Sequence, residues 1–209
     1  MNKRKMELSS KEYIELAEKL DAEQILLEES EIVEHQYESL LKKRIILIND
    51  LISEITIDKV VMPLLQMDND GTNEKITIYI NSNGGSVHDG LVLCNVIEKL
   101  KTPTDVIVLG YAYSMGSIIL MSGKNNPNVK RYCYPFSTAL IHGGSAYVSG
   151  TSSQVKDYFR FNEKFEKRIA DFIVSHTNLS EDDYAAIERY EAYMDSDEML
   201  VKGLVDEIL

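Results

Sequence analysis

A serine, a histidine and a pair of glycines, each at the end of an apolar run, are the residues best suited to chemistry in this sequence. The first stretch, Asn81-Ser82-Asn83-Gly84-Gly85-Ser86, follows a run ending at Ile80. Its two glycines permit positive φ and a close approach of ligand to backbone, so the Gly85 N–H can be aimed at an oxyanion. Asn-Gly is also an ordinary turn. The second stretch, Gly110 to Ser117, carries Ser114 where an apolar strand passes into a helix. A hydroxyl there stands above the sheet end, and the Met115 N–H at the helix start faces the same space. The alternative is that Ser114 only caps the helix. Ala112 in place of the first glycine separates this stretch from the GxSxG nucleophile elbow. The third stretch, Leu140-Ile141-His142-Gly143-Gly144, ends an apolar strand in an imidazole, the usual group for taking a serine proton near pH 7. A strand-end histidine can equally be structural. His35, His88 and His176 are read as helix-surface or turn residues without a chemical role.

The elements that must position these groups follow from hydrophobic periodicity. Strands are expected at 45–48, 75–80, 106–109 and 137–141, with helices at 57–66, 89–100 and 115–121. Strands alternating with helices imply parallel βαβ units, hence an α/β core. The charge-free run from Val106 to Gly123 approaches membrane-span length. Its glycines, serines and leading β-formers suit a buried strand followed by a buried helix better than a bilayer. A long helix starts near Ser152 or Ser153 and carries Val155, Tyr158, Phe159, Phe165, Ile169, Phe172 and Ile173 in a wide stripe, read as part subunit interface or as core packing. Ser180 with Asp183 opens a short helix through Arg189, and 196–202 forms another before Gly203.

Residues 1–44 read as an N-terminal acidic helical extension and 45–209 as the main domain. From Ser9 to about Arg44 the pattern is helical, and Lys11 and Lys19 are the only bases between Glu7 and Glu34. A net charge of −12 disfavours nucleic acid and anionic membrane surfaces, whose recognition needs clustered Lys and Arg. Cys94 and Cys133 form no CxxC pair and sit among apolar residues, so buried inert thiols are expected. No secretory pattern follows the charged start, which places the chain in the cytoplasm.

Taken together, the stretches resemble the proteolytic subunit of the Clp protease family. YINSNGGSV is similar to that family's YINSPGGSV, GYAYSMG to its serine motif, LIHGG to its histidine motif and KGLVDEIL to the end of its fold; weaker similarity reaches back to about Tyr37. The resemblance implies a crotonase-like (ClpP-type) ββα-repeat fold with a protruding handle helix. It implies Ser114 as nucleophile, His142 as base, the N–H groups of Gly85 and Met115 as oxyanion hole, and Val87 at the substrate channel. It further implies heptameric rings stacked as a tetradecamer, an AAA+ unfoldase partner, and unfolded protein or peptide substrates, with no metal or organic cofactor.

The departures concern the acid and the partners. Counting back from Gly203 places Glu191 at the position of the family's catalytic aspartate, in a stretch about three residues shorter than usual, with Asp195 as the alternative. A glutamate can orient an imidazolium as an aspartate does. Either could instead be a solvated charge. Asn83 replaces the loop proline, Gly143-Gly144 replaces Gln-Pro, and Thr77 stands where an aromatic of the unfoldase-docking pocket is expected, while Tyr79 retains another. The expected activity is endopeptidase cleavage inside a ring. The competing readings are a phage-type maturation protease without unfoldase, a non-catalytic ring subunit, and a crotonase-type acyl-CoA enzyme.

Overall fold

The computed structural model describes residues 19, 33–145, 147–187 and 189–209. The chain divides into two compact units, Met1–Lys43 and Arg44–Leu209. In the first, residues 33–42 are helical. Most of the helix expected from Ser9 onward lies outside the described residues.

The second unit is built on a parallel sheet. Strand β1 (Ile45–Ile48) leads through a short helix α1 (Glu54–Thr56), a π turn (Ile57–Val61) and α2 (Met62–Asp68) to β2 (Ile76–Ser82). In β2 every second residue, Ile76, Ile78, Ile80 and Ser82, is buried, the period-2 pattern of a strand with one face in the core. Helix α3 (Val87–Ile97) follows; the Ser86 side chain caps it by accepting from the Asp89 N–H, and Leu93, Cys94 and Ile97 face inward.

Strand β3 (Thr104–Tyr113) is the longest. Val106, Ile107 and Val108 are all buried, as expected of a strand covered on both sides. It extends beyond the expected 106–109 because Gly110 does not end it. Residues 104–108 pair with β4 (Val129–Cys133), and 111–113 with β5 (Thr138–Ile141). Between β3 and β4 lies α4 (Met115–Met121), followed by a 3₁₀ turn (Ser122–Asn125). The order β1-β2-β3-β4-β7 is parallel throughout. Antiparallel β6 (Ala192–Met194) adds to β5, and β7 (Glu207–Ile208) to β4.

The edge formed by β4 and β7 is locked by an ion pair. Arg131 is 1% exposed; its guanidinium donates to the Gly203 and Leu204 carbonyls and to both carboxylate oxygens of Asp206. The Arg131 N–H also donates to the Asp206 carboxylate, and the Asp206 N–H to the Arg131 carbonyl, both at 2.8 Å. A buried guanidinium is tolerable only when its donors are met in this way.

Helix α5 (Ser152–Ser175) starts at a capping box of Thr151 and Gln154. Val155, Tyr158, Phe165, Ile169 and Phe172 are half-buried and Ile173 is buried, while Phe159 and Phe161 are exposed. The expected stripe therefore splits, and Phe159 leaves the packed face. Helices α6 (Glu181–Ile187) and α7 (Ser196–Val201) complete the unit. His176 is not on a surface: it is 6% exposed, stacks on Phe172 at 3.9 Å and meets Glu98 at 2.7 Å. Nδ1 lies 2.8 Å from the Phe172 carbonyl at the end of α5 while Nε2 faces Glu98, partners that a sequence pattern does not reveal. Cys94 and Cys133 are buried free thiols.

Candidate active site

Ser114 is the single residue between β3 and α4, and it adopts φ 53° and ψ −119°. A non-glycine residue at positive φ is held there only by its surroundings, at a cost of about 1–3 kcal/mol. Three contacts supply that restraint. The Ser114 N–H donates to the Leu140 carbonyl of β5 at 2.8 Å. The fully buried Ser117 hydroxyl, one turn on, lies 2.5 Å from the Ala112 carbonyl and 2.8 Å from that of Leu140. Beneath the turn is Gly84 at φ +89°, where a Cβ would come 2.6 Å from the Tyr113 carbonyl oxygen and 2.8 Å from the Met115 nitrogen. The Ser114 side chain makes no capping bond to α4, so its hydroxyl is free of the structural role open to it in sequence.

That hydroxyl instead meets an imidazole. His142, directly after β5, places Nε2 2.8 Å from Ser114 Oγ. The β3–β5 register, Tyr113 with Leu140, sets the two strand ends side by side. A hydroxyl and an imidazole at this distance can pass a proton.

Gly85, at φ +147°, forms a parallel bridge with Ile52. The flanking bonds run from the Ile52 N–H to the Gly84 carbonyl and from the Ser86 N–H to the Ile52 carbonyl, which turns the Gly85 N–H away from Ile52. A Cβ on Gly85 would strike the Ile52 carbonyl, so the bend requires glycine. The Met115 N–H opens α4 and has no intrahelical acceptor. Gly85, Met115, Ser114 and His142 line one cavity of about 520 Å³, and Val87 lines it too. Two backbone donors beside a hydroxyl–imidazole pair can stabilise a developing oxyanion.

The acid is differently placed. Glu191 is exposed, and its carboxylate accepts from the Tyr193 hydroxyl at 3.1 Å, which pushes the phenol pKa up. The Tyr193 ring stands edge-on to Tyr113 at 5.9 Å. The β5–β6 register pairs Leu140 with Tyr193 and Ile141 with Ala192. Both strands end there, and His142 and Glu191 are the residues next beyond that last pair. Asp195 instead caps α7, accepting from the Glu198 N–H at 2.9 Å. No hydrogen bond of the described residues joins His142 to Glu191 or Asp195. Sequence reasoning missed Ser117 and Tyr193; the only available signal was their proximity to Ser114 and Glu191.

A serine on a restrained strand-to-helix turn, bonded to a strand-end imidazole beside two backbone donors, defines a serine-hydrolase type of site on a parallel α/β sheet. The Clp protease family matches this chain over residues 28–209. The chain is similar to the ATP-dependent Clp protease proteolytic subunit of Deinococcus radiodurans, 31% identical over 173 residues that cover 83% of each chain. It is equally similar to that of Carsonella ruddii, 31% identical over 173 residues covering 83% of this chain and 87% of the relative. The chain belongs to the Clp protease family. It has the ClpP-type α/β fold and is a serine-type peptidase. No helix among the described residues is long and apolar enough to cross a membrane.

Proposed function

We propose that this protein is an endopeptidase in which Ser114 attacks the scissile carbonyl and His142 takes the hydroxyl proton and returns it to the leaving amine. Glu191 orients the imidazole, and the N–H groups of Gly85 and Met115 hold the oxyanion, with substrate passing Val87. The observation carrying this reading is the 2.8 Å contact between Ser114 Oγ and His142 Nε2 on a turn that leaves the serine no capping role. The β6 register favours Glu191 over Asp195, whose carboxylate is engaged at the α7 cap. Labelling with a fluorophosphonate tests it. Modification at Ser114 that is lost in Ser114→Ala is expected, whereas an unlabelled assembled protein would favour a non-catalytic ring subunit.

The protein acts in the cytoplasm as a heptameric ring, paired into a tetradecamer, that encloses the sites and receives unfolded chains from an AAA+ unfoldase. The ATP-dependent naming of both relatives supports the unfoldase. We place an N-terminal extension at residues 1–44, of which 28–44 fall within the family match. Phe159 and Phe161, 54% and 59% exposed on α5, suit a contact between copies. Aspartate at both positions should shift the wild-type ring to smaller species on a sizing column; a monomeric, fully active wild type would overturn the ring.

A further inference from the structure

The face of α5 turned to the cavity carries Asn162, Phe165, Glu166, Ile169 and Ile173, a single helical stripe, with Ile118 of α4 also lining the space. Glu166 is the only carboxylate among the described residues that line it. One of its oxygens accepts from the Asn162 amide at 2.6 Å, one turn earlier. None of the ion pairs of the described residues includes it, and the adjacent Lys167 is directed to Asp171 at 3.2 Å. Phe165 is covered on one side by His88, stacked at 5.1 Å. A negative charge with one neutral donor thus stands at the solvent-exposed edge of a largely apolar wall and keeps unused acceptor capacity.

We propose that Glu166 is a specificity-determining residue. The site selects peptides whose residue before the scissile bond is long and ends in a cation, lysine or arginine. The aliphatic stem lies along Ile118 and Ile169, and the charged tip reaches Glu166, the way such side chains commonly divide between apolar and polar surroundings. A purely aliphatic side chain makes the same wall contacts but leaves the carboxylate without a cation, so discrimination works against it. This inference rests on the reading of Ser114 as nucleophile.

The test uses the assembled full chain with fluorogenic peptides differing only in lysine, norleucine or glutamate before the scissile bond. The wild-type ratio of kcat/KM for lysine over norleucine should be about threefold to fivefold, shrinking as salt screens the charge. Glu166→Gln should bring it to about one, and Glu166→Lys should move the preference toward glutamate. A ratio is independent of the folded fraction, so partial unfolding of a variant does not obscure it. Norleucine preferred by the wild type, or a ratio unmoved by Glu166→Gln, would overturn the selection alone. Failure to cleave any of the three peptides would overturn the nucleophile reading together with it.

Discussion

A Cβ placed on Gly84 would lie 2.8 Å from the Cβ of Ser114, a separation that real side chains do not show. The glycine loop after β2 therefore sets the height of the turn that carries the hydroxyl. Gly84→Ala combines this clash with a φ of +89° and should destabilise the protein by at least about 2 kcal/mol while reducing peptidase activity by orders of magnitude. Gly144 provides the contrast, since a Cβ there meets nothing within 4 Å. Gly144→Ala should melt within a degree or two of wild type; equal melting temperatures for the two variants would contradict the packing described.

The acid assignment separates two nearby carboxylates. Glu191→Gln removes the charge proposed to orient the imidazole and should lower kcat by about a hundredfold or more with little change in melting. Asp195→Asn alters a helix cap, so its effect should fall on stability, by at most about 1 kcal/mol, and leave turnover nearly intact. The reverse order of the two kcat values would move the acid to Asp195.

Tyr193→Phe deletes the hydroxyl that donates to Glu191 while keeping the ring against Tyr113. The phenol steadies that carboxylate, so the variant should lose several-fold in kcat at unchanged KM and shift the pH dependence of kcat. An unaltered pH profile would mean that the contact has no bearing on the imidazole.

Ser117 is a buried hydroxyl shared by the carbonyls of Ala112 and Leu140, next to last in β3 and β5. Ser117→Ala removes this shared donor, while the Leu140 carbonyl keeps the Ser114 N–H, and should cost about 1 kcal/mol. Because the same bonds hold the Ser114 and His142 strands in register, activity should fall more than unfolding alone explains. Denaturant melts and peptidase assays on one preparation would check both.

The thiols give a pH-dependent signature. Burial raises Cys94 from the usual 9.0 to about 12 and Cys133 to about 11. The unfolded chain deprotonates first as pH rises, so the stability from keeping these thiols neutral is complete below about pH 9. It is lost as pH climbs through their folded values. Native protein at pH 8 should therefore resist a thiol reagent that modifies both cysteines once denaturant is added; rapid native labelling would refute their burial.

How far the fold could be read from sequence depends on whether a residue's environment is local. The alternation in β2 and the apolar run of β3 come from neighbours in the chain, and so did the placement of Ser114 and His142 at strand ends. Strand β4 did not stand out, because Lys130 and Arg131 break its apolar pattern. Arg131 is nonetheless buried, since Asp206, 75 residues away, meets its charge. His176 looked like a surface residue for the same reason: its partner Glu98 directly follows α3. In the site, the hydroxyl–imidazole contact could be anticipated from two motifs. The engagement of Glu191 by Tyr193 depends on side-chain rotamers at an exposed position, which spacing does not encode.

The pairing of β4 with β7 also bears on how the protein is made. While the nascent chain emerges, β4 has one free edge, and Arg131 lacks its counter-charge until Asp206 has cleared the ribosome. With 75 residues between them, at ~5–20 residues per second, that interval is roughly 4–15 s. During it an unpaired strand edge is open to strands of other chains. The sheet therefore closes only once β7 is available, and a pause in translation after β4 should favour aggregation more than the same pause placed after β7.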